Sequence, residues 1–123
     1  MKIKITAAAL AACLFMAGCS GAASVNTSKN SEPVDITIWH YYNGSQKAAF
    51  DDLVNEFNDT VGKEKGIYVE GHSKGNVSEL ENAVLSSSRK EVGSEEMPDI
   101  FSSYAGTAYE VEQAGALANL SDY

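Results

Sequence analysis

Two short segments of this chain carry residue types that could recognise a small molecule. The first is Trp39-His40-Tyr41-Tyr42-Asn43-Gly44. The second is Ser102-Ser103-Tyr104-Ala105-Gly106-Thr107. Each joins aromatic rings to amide or hydroxyl groups, and each runs into a helix N-terminus with free backbone donors. Flat aromatic faces suit the C–H face of a sugar ring, while amides, hydroxyls and carboxylates suit its rim of OH groups. Apolar walls with a few placed polar groups are the usual make-up of a small-molecule site. The candidate contacts are Tyr41, Tyr42, Asn43, Gly44, Ser103, Tyr104, Gly106 and Thr107. Trp39 reads as core, because a central parallel strand is buried on both faces. Tyr41 fits either role.

Covalent and metal chemistry find little support. Asp51 and Asp52 are adjacent carboxylates, but they stand opposite an apolar helical stripe and read as a solvated face. His40 and His72 are too few for a histidine-based metal site, so no metal and no cofactor is expected. Gly71-His72-Ser73-Lys74-Gly75 lacks the glycine and lysine spacing of a phosphate-binding loop. No G-x-S-x-G elbow is present, and the expectation is a protein that is not an enzyme. Nucleic acid is excluded as a partner by a net charge of −8 over 123 residues, with only nine Lys and Arg.

The elements that must position these residues begin after a leader. Met1-Lys2-Ile3-Lys4 is a basic start, and Ile5 to Gly18 is an uncharged run rich in Ala and Leu. That run is shorter than the roughly 20 residues of a comfortable membrane span and reads as a secretory signal over 1–18. Phe15-Met16-Ala17-Gly18-Cys19 resembles a bacterial lipobox, in which Cys19 takes the lipid. Several acyl chains on one residue anchor firmly, because each buried CH₂ contributes about 0.8 kcal/mol. Cys13 then leaves with the signal, and no internal disulfide is possible. Residues 19–33, rich in Ser, Asn and Ala, read as the lipidated Cys and a flexible tether.

From Val34 to Tyr123 three strand-then-helix units follow one another. Asp35–Tyr41 is β-branched and aromatic, hence the first strand. Asn43 with Gln46 predicts a capped helix. In that helix Phe50, Leu53, Val54, Phe57 and Val61 form an apolar stripe. Gly62–Gly66 is expected to turn, Ile67–Glu70 to be the second strand and Gly71–Gly75 a loop. Asn76…Glu79 and Ser78…Glu81 both look like capping boxes for a second helix with Leu80, Ala83, Val84 and Ser87 inward. Pro98–Tyr104 reads as the third strand, and Thr107…Glu110 as the cap of a third helix ending at Gly115. Leu117 and Leu120 are expected to fold back as an apolar lid. Such alternation predicts an α/β fold with parallel strands, whose ligands bind outside the carboxyl ends of the strands.

The lipobox, the tether, ITIWHYYNGSQKAAFDDLVNEFN and MPDIFSSYAGTAYEVEQAGALANLSDY together resemble the N-terminus of extracellular solute-binding proteins of family 1. These are the sugar-binding lipoproteins of ABC transporters, with the maltose-binding protein among them. The resemblance implies two α/β lobes that close on a ligand like a clamshell. Residues 34–123 would be the first part of the N-terminal lobe, with the rest of the protein lying beyond. It implies a carbohydrate or polyol ligand and delivery to a membrane permease. It further implies a monomer held on the outer side of a bacterial cell membrane by its N-terminal lipid. Family contacts come from the turns after strands 1 and 3, which here fall on Tyr42, Asn43 and Gly44 and on Ser103, Gly106 and Thr107. Asn43, Ser103 and Gly106 stand where the maltose-binding pattern has a charged group, an aromatic and an acid, so maltose is not carried over. Trp39-His40, Lys74-Gly75-Asn76 and Gly106-Thr107 resemble pieces of a glycerol-3-phosphate-binding relative. An extracytoplasmic sensing module and the N-terminal part of a surface enzyme are the other readings.

Overall fold

The structure is a computed structural model and describes residues 32–121 and 123. The signal 1–18, Cys19 and nearly all of the tether lie outside the described residues. The elements in chain order are β1 (Val34–His40), α1 (Gly44–Phe57), a π-helical segment (Asn58–Gly62), α2 (Lys63–Lys65), β2 (Ile67–Ser73), α3 (Val77–Ser88), β3 (Ile100–Phe101) and α4 (Ala105–Gln113). The three strands form one parallel sheet in the order β2-β1-β3. The chain is therefore α/β with a three-stranded parallel sheet, as the alternation of strand and helix predicts. Among the described residues no helix is long and apolar enough to cross a membrane.

Adjacent residues of a strand point to opposite faces, and Trp39 and His40 divide the molecule that way. On the Trp39 face, Leu80 and Val84 of α3 and Val111 of α4 close a small core. Trp39 is core, as expected, and Tyr41 packs against the same cluster. On the His40 face lies α1, whose Phe50 meets the His40 ring edge-on. The chain comes close here because residue 71 is glycine: a Cβ at Gly71 would stand 2.7 Å from Phe50 Cε1. The stripe of α1 is only partly used. No residue of α1 is buried, and Leu53 and Val61 are exposed.

Several boundaries differ from the sequence reading. The helix that begins at Gly44 does not stop at Gly62. It widens into the π segment and runs to Lys65, where Gly66 ends it with φ +69°. The π segment starts at Asn58, whose side chain donates to the Val69 carbonyl and accepts the Val69 N–H, both at 2.8 Å. One amide thereby satisfies both backbone groups of Val69 on the free edge of β2, as a neighbouring strand would. β2 itself continues through Gly71, His72 and Ser73, which pair with Ile38, Trp39 and His40 rather than forming a loop.

β3 is shorter than the expected Pro98–Tyr104. Only Ile100 and Phe101 pair with β1. Just before them the Asp99 carboxylate accepts the Thr37 N–H at 2.8 Å and the Thr37 hydroxyl at 2.9 Å. A side chain thus takes the place of a ladder carbonyl and ends the strand pairing early. At the far end α4 closes as expected. Gly115 has φ +71°, its N–H donates to the Glu112 carbonyl, and the Ala116 N–H donates to the Val111 carbonyl. That pair of bonds is the Schellman ending. Leu117 and Leu120 do not form a lid; both are exposed.

Candidate functional site

The two segments singled out by residue type follow β1, the central strand, and β3, its neighbour on one side. β2 lies on the other side. The chain therefore leaves β1 in one direction to make β2 and returns on the opposite side to make β3. Such a reversal of strand order opens a crevice at the carboxyl ends of the flanking strands. Both candidate segments lie at that end.

The turn after β1 is tightly laced. Gly44 opens α1 with φ +52°, a backbone state that a side chain resists. Asn43 is the N-cap residue, but its side chain accepts no bond from the helix, so the expected box with Gln46 does not form. Its Nδ2 donates instead to the Tyr41 carbonyl at 3.2 Å and to the Gly75 carbonyl. The Gln46 N–H is satisfied by the Asn43 backbone carbonyl at 3.1 Å. The Ser73 hydroxyl donates to the Tyr42 carbonyl at 2.9 Å, and the Lys74 N–H donates to the His40 carbonyl at 2.8 Å. The turn between β2 and α3 is thus bound to the first turn along three residues. Ser73, Lys74 and Gly75 belong to the site's support, a role hidden in the sequence by reading 71–75 as a loop. The α3 cap beside it forms as expected: Asn76 Oδ1 accepts the Glu79 N–H, and the Glu79 carboxylate accepts the Asn76 N–H, both at 3.0 Å.

The turn after β3 is looser. Ser103, Tyr104 and Gly106 are exposed, and a Cβ at Gly106 would meet nothing within 4 Å. The Ser103 hydroxyl donates only to the neighbouring Tyr104 carbonyl. Tyr104 is the N-cap of α4, so Thr107 lies inside the first helical turn and caps nothing. It is buried, and its hydroxyl donates to Glu81 on α3 at 2.9 Å. Among the described residues no hydrogen bond joins Ser103–Thr107 to Tyr41–Gly44. They share an end of the sheet and nothing closer.

His40 is the neighbour of this turn that residue type alone undervalued. It is fully buried at the end of β1. Its ring stacks on Tyr42 with centroids 4.9 Å apart, and its Nδ1 accepts the Tyr42 N–H at 3.1 Å. Burial, and after it the positive charge of Lys47, pushes the His40 pKa below the usual 6.5, with Asp51 opposing and His72 adding to the fall.

Two hollows flank the site. One, of about 290 Å³, is lined by Tyr42, Gln46, Ala49, Phe50 and Leu53 and is mostly apolar. The other, of about 380 Å³, lies on the Trp39 face between Thr37, His72, Met97 and the carboxylates of Glu95, Glu96 and Asp99. Lys74 borders the second: its Nζ stands 3.8 Å above the Trp39 ring and 2.7 Å from each Glu95 oxygen. That ammonium links Glu95 to the Trp39 ring. Among the described residues no group of three or more His, Cys, Asp or Glu could hold a metal ion. The chain matches no protein-family model, no curated protein and no solved structure.

Proposed function

We propose that residues 34–123 are the first part of the N-terminal lobe of an extracytoplasmic solute-binding lipoprotein. In this reading the protein captures a carbohydrate or related polyol without chemical change. It delivers the solute to the membrane permease of an ABC importer. The single observation that carries it is the strand order β2-β1-β3, with the aromatic and polar turns 41–44 and 103–106 at the ends of the two strands beside the reversal. Tyr42 supplies a half-buried ring, and Tyr104 an exposed one. The resemblance of both segments to family 1 solute-binding proteins supports the same reading.

Exposed apolar surface supports the view that further chain or a second lobe covers this unit. Leu53, Val61, Ile100, Tyr104 and Tyr109 are all large, apolar and exposed. Cys19 would tether the protein to the outer face of the cell membrane, and residues 19–33 would hold the lobe clear of it.

In the full-length protein, Tyr42→Ala is expected to weaken sugar or polyol affinity at least about tenfold, a larger effect than its cost in stability from the lost contacts with His40 and Phe50. Calorimetric titration of a ligand first found in a thermal-shift screen of sugars, polyols and glycerol-3-phosphate measures this. Equal affinity in the variant removes Tyr42 from the site, and a screen with no hit removes the solute class. Cys19→Ser should move the protein from the membrane fraction to the soluble one; unchanged fractionation would refute the lipid anchor.

A further inference from the structure

We propose that His40 is a positioning residue for the Tyr41–Gly44 turn, and that proton uptake by its ring releases that turn. The β1–β2 ladder ends at the pair His40–Ser73. The N–H of the half-buried Tyr42, two residues on from His40, lies beyond the ladder and finds its acceptor in His40 Nδ1. A neutral imidazole has one acceptor nitrogen and one donor nitrogen. With Nδ1 accepting, the proton stands on Nε2. That atom is buried and has no hydrogen-bond partner among the described residues.

A phenylalanine would fill the same space between Tyr42 and Phe50 without leaving a buried polar atom unpaired. What histidine adds is the acceptor at Nδ1. Its cost is an unsatisfied Nε2 facing Gly71, where a Cβ would meet that nitrogen at an ordinary 3.5 Å and would offer it no hydrogen-bond partner. A buried polar group without a partner is uncommon enough to require a reason, and holding the Tyr42 N–H is the one this geometry offers.

The same geometry makes the contact proton-sensitive. A second proton can go only to Nδ1, turning the acceptor into a donor that faces the Tyr42 N–H. The resulting charge would be buried. Lys47 on α1 and His72 on β2 disfavour it, and Asp51 on α1 favours it. Asp51, however, is already engaged by Lys47 at 2.5 Å. The charged ring must leave its slot, and with it goes the fixed path of residues 41–44. The bonds of Asn43 to Gly75 and of Tyr42 to Ser73 depend on that path. If the turn binds solute as proposed above, solute affinity falls in acid; the device itself does not depend on that reading.

Long-range ¹H–¹⁵N spectra of the ¹⁵N-labelled full chain test this without ligand. The expected result is a neutral His40 protonated on Nε2, titrating below about pH 6.5, with the Tyr42 amide shift following the same midpoint. Protection of that amide should drop about fivefold or more across it, the equivalent of one hydrogen bond. A proton on Nδ1 in the neutral ring, or a Tyr42 amide that ignores the His40 titration, overturns the proposal. His40→Asn places an untitratable acceptor near the Nδ1 position and should keep the Tyr42 amide protected at all pH values. His40→Phe should leave it unprotected at all pH values; retained protection there also overturns the proposal. A turn that follows His40 while solute affinity in the full-length protein ignores pH supports the device and counts against the binding reading alone.

Discussion

The two faces of the sheet are held by different physics. On the Trp39 face, Trp39, Leu80, Val84 and Val111 exclude water from one another, and all four are at most 4% exposed. On the opposite face α1 contributes no buried residue. It is held by the ring contacts of His40, Tyr42 and Phe50 and by the Asn58 amide on β2. Burial of apolar side chains closes the core of the first face, whereas ring contacts and the Asn58 hydrogen bonds position α1 on the second. The candidate turn after β1 starts α1 and so belongs to the second kind, where geometry matters more than buried area.

The largest expected effect is on the apolar face. Leu80→Ala should cost about 2–5 kcal/mol, whereas Leu53→Ala on the exposed side of α1 should stay within about 0.5 kcal/mol. Denaturant titration of both variants checks this, and a comparable loss at Leu53 would mean that α1 is packed after all. A smaller effect, about 1–2 kcal/mol, is expected for Asn58→Ala, which leaves both Val69 backbone groups without their partner. Hydrogen exchange should then rise at Val69 and leave Leu80 unchanged; an unmoved Val69 amide would deny the edge-covering role.

The smallest effect separates the faces by pH. The bonds from the Thr37 N–H and hydroxyl hold the Asp99 carboxyl below its usual range. A carboxylate with a depressed folded pKa contributes stability above its unfolded pKa and loses it as pH falls through the folded value. Its window therefore lies below about pH 4. Buried neutral His40 also has a folded pKa below its unfolded one. The unfolded chain then binds more protons, and stability falls as pH drops below about 6.5. Asp99→Asn should flatten only the lower step of the stability–pH curve. Loss of the upper step in that variant would show the faces to be coupled.

Much of this was legible in the sequence where the relevant partners are neighbours. Leu80 and Val84 share a helix face through a four-residue spacing, and both are buried. Asn76 and Glu79 satisfy each other across one turn. Gly115 ends its helix because only backbone conformation is at issue. The same signals failed where a distant group competed. Asn43 has the spacing of a cap, yet the Gly75 carbonyl, 32 residues away in sequence, takes its amide. Thr107 and Glu110 have the spacing of a box, but α4 starts earlier, and Thr107 turns to Glu81. The strand pattern of Pro98–Tyr104 could not reveal that Asp99 would meet Thr37, 62 residues away. Of the eight candidate contacts, Thr107 is thereby buried against α3, Tyr41 joins the core edge, and the others lie at the two turns.

By itself the sequence determined the alternation of strands and helices, the parallel α/β class and the inward residues of α3. Periodicity, capping and turn chemistry act over a few residues and need no knowledge of what lies opposite. Only the tertiary structure decided that β1 is central, that α1 rests on its His40 face with its apolar stripe half open, and that Asn58 and Asp99 replace missing strand partners. It also decided that His40, weighed in the sequence as a metal ligand and set aside, accepts the Tyr42 N–H. Those outcomes depend on which donor meets which acceptor after the chain has folded back, and that competition is settled in space.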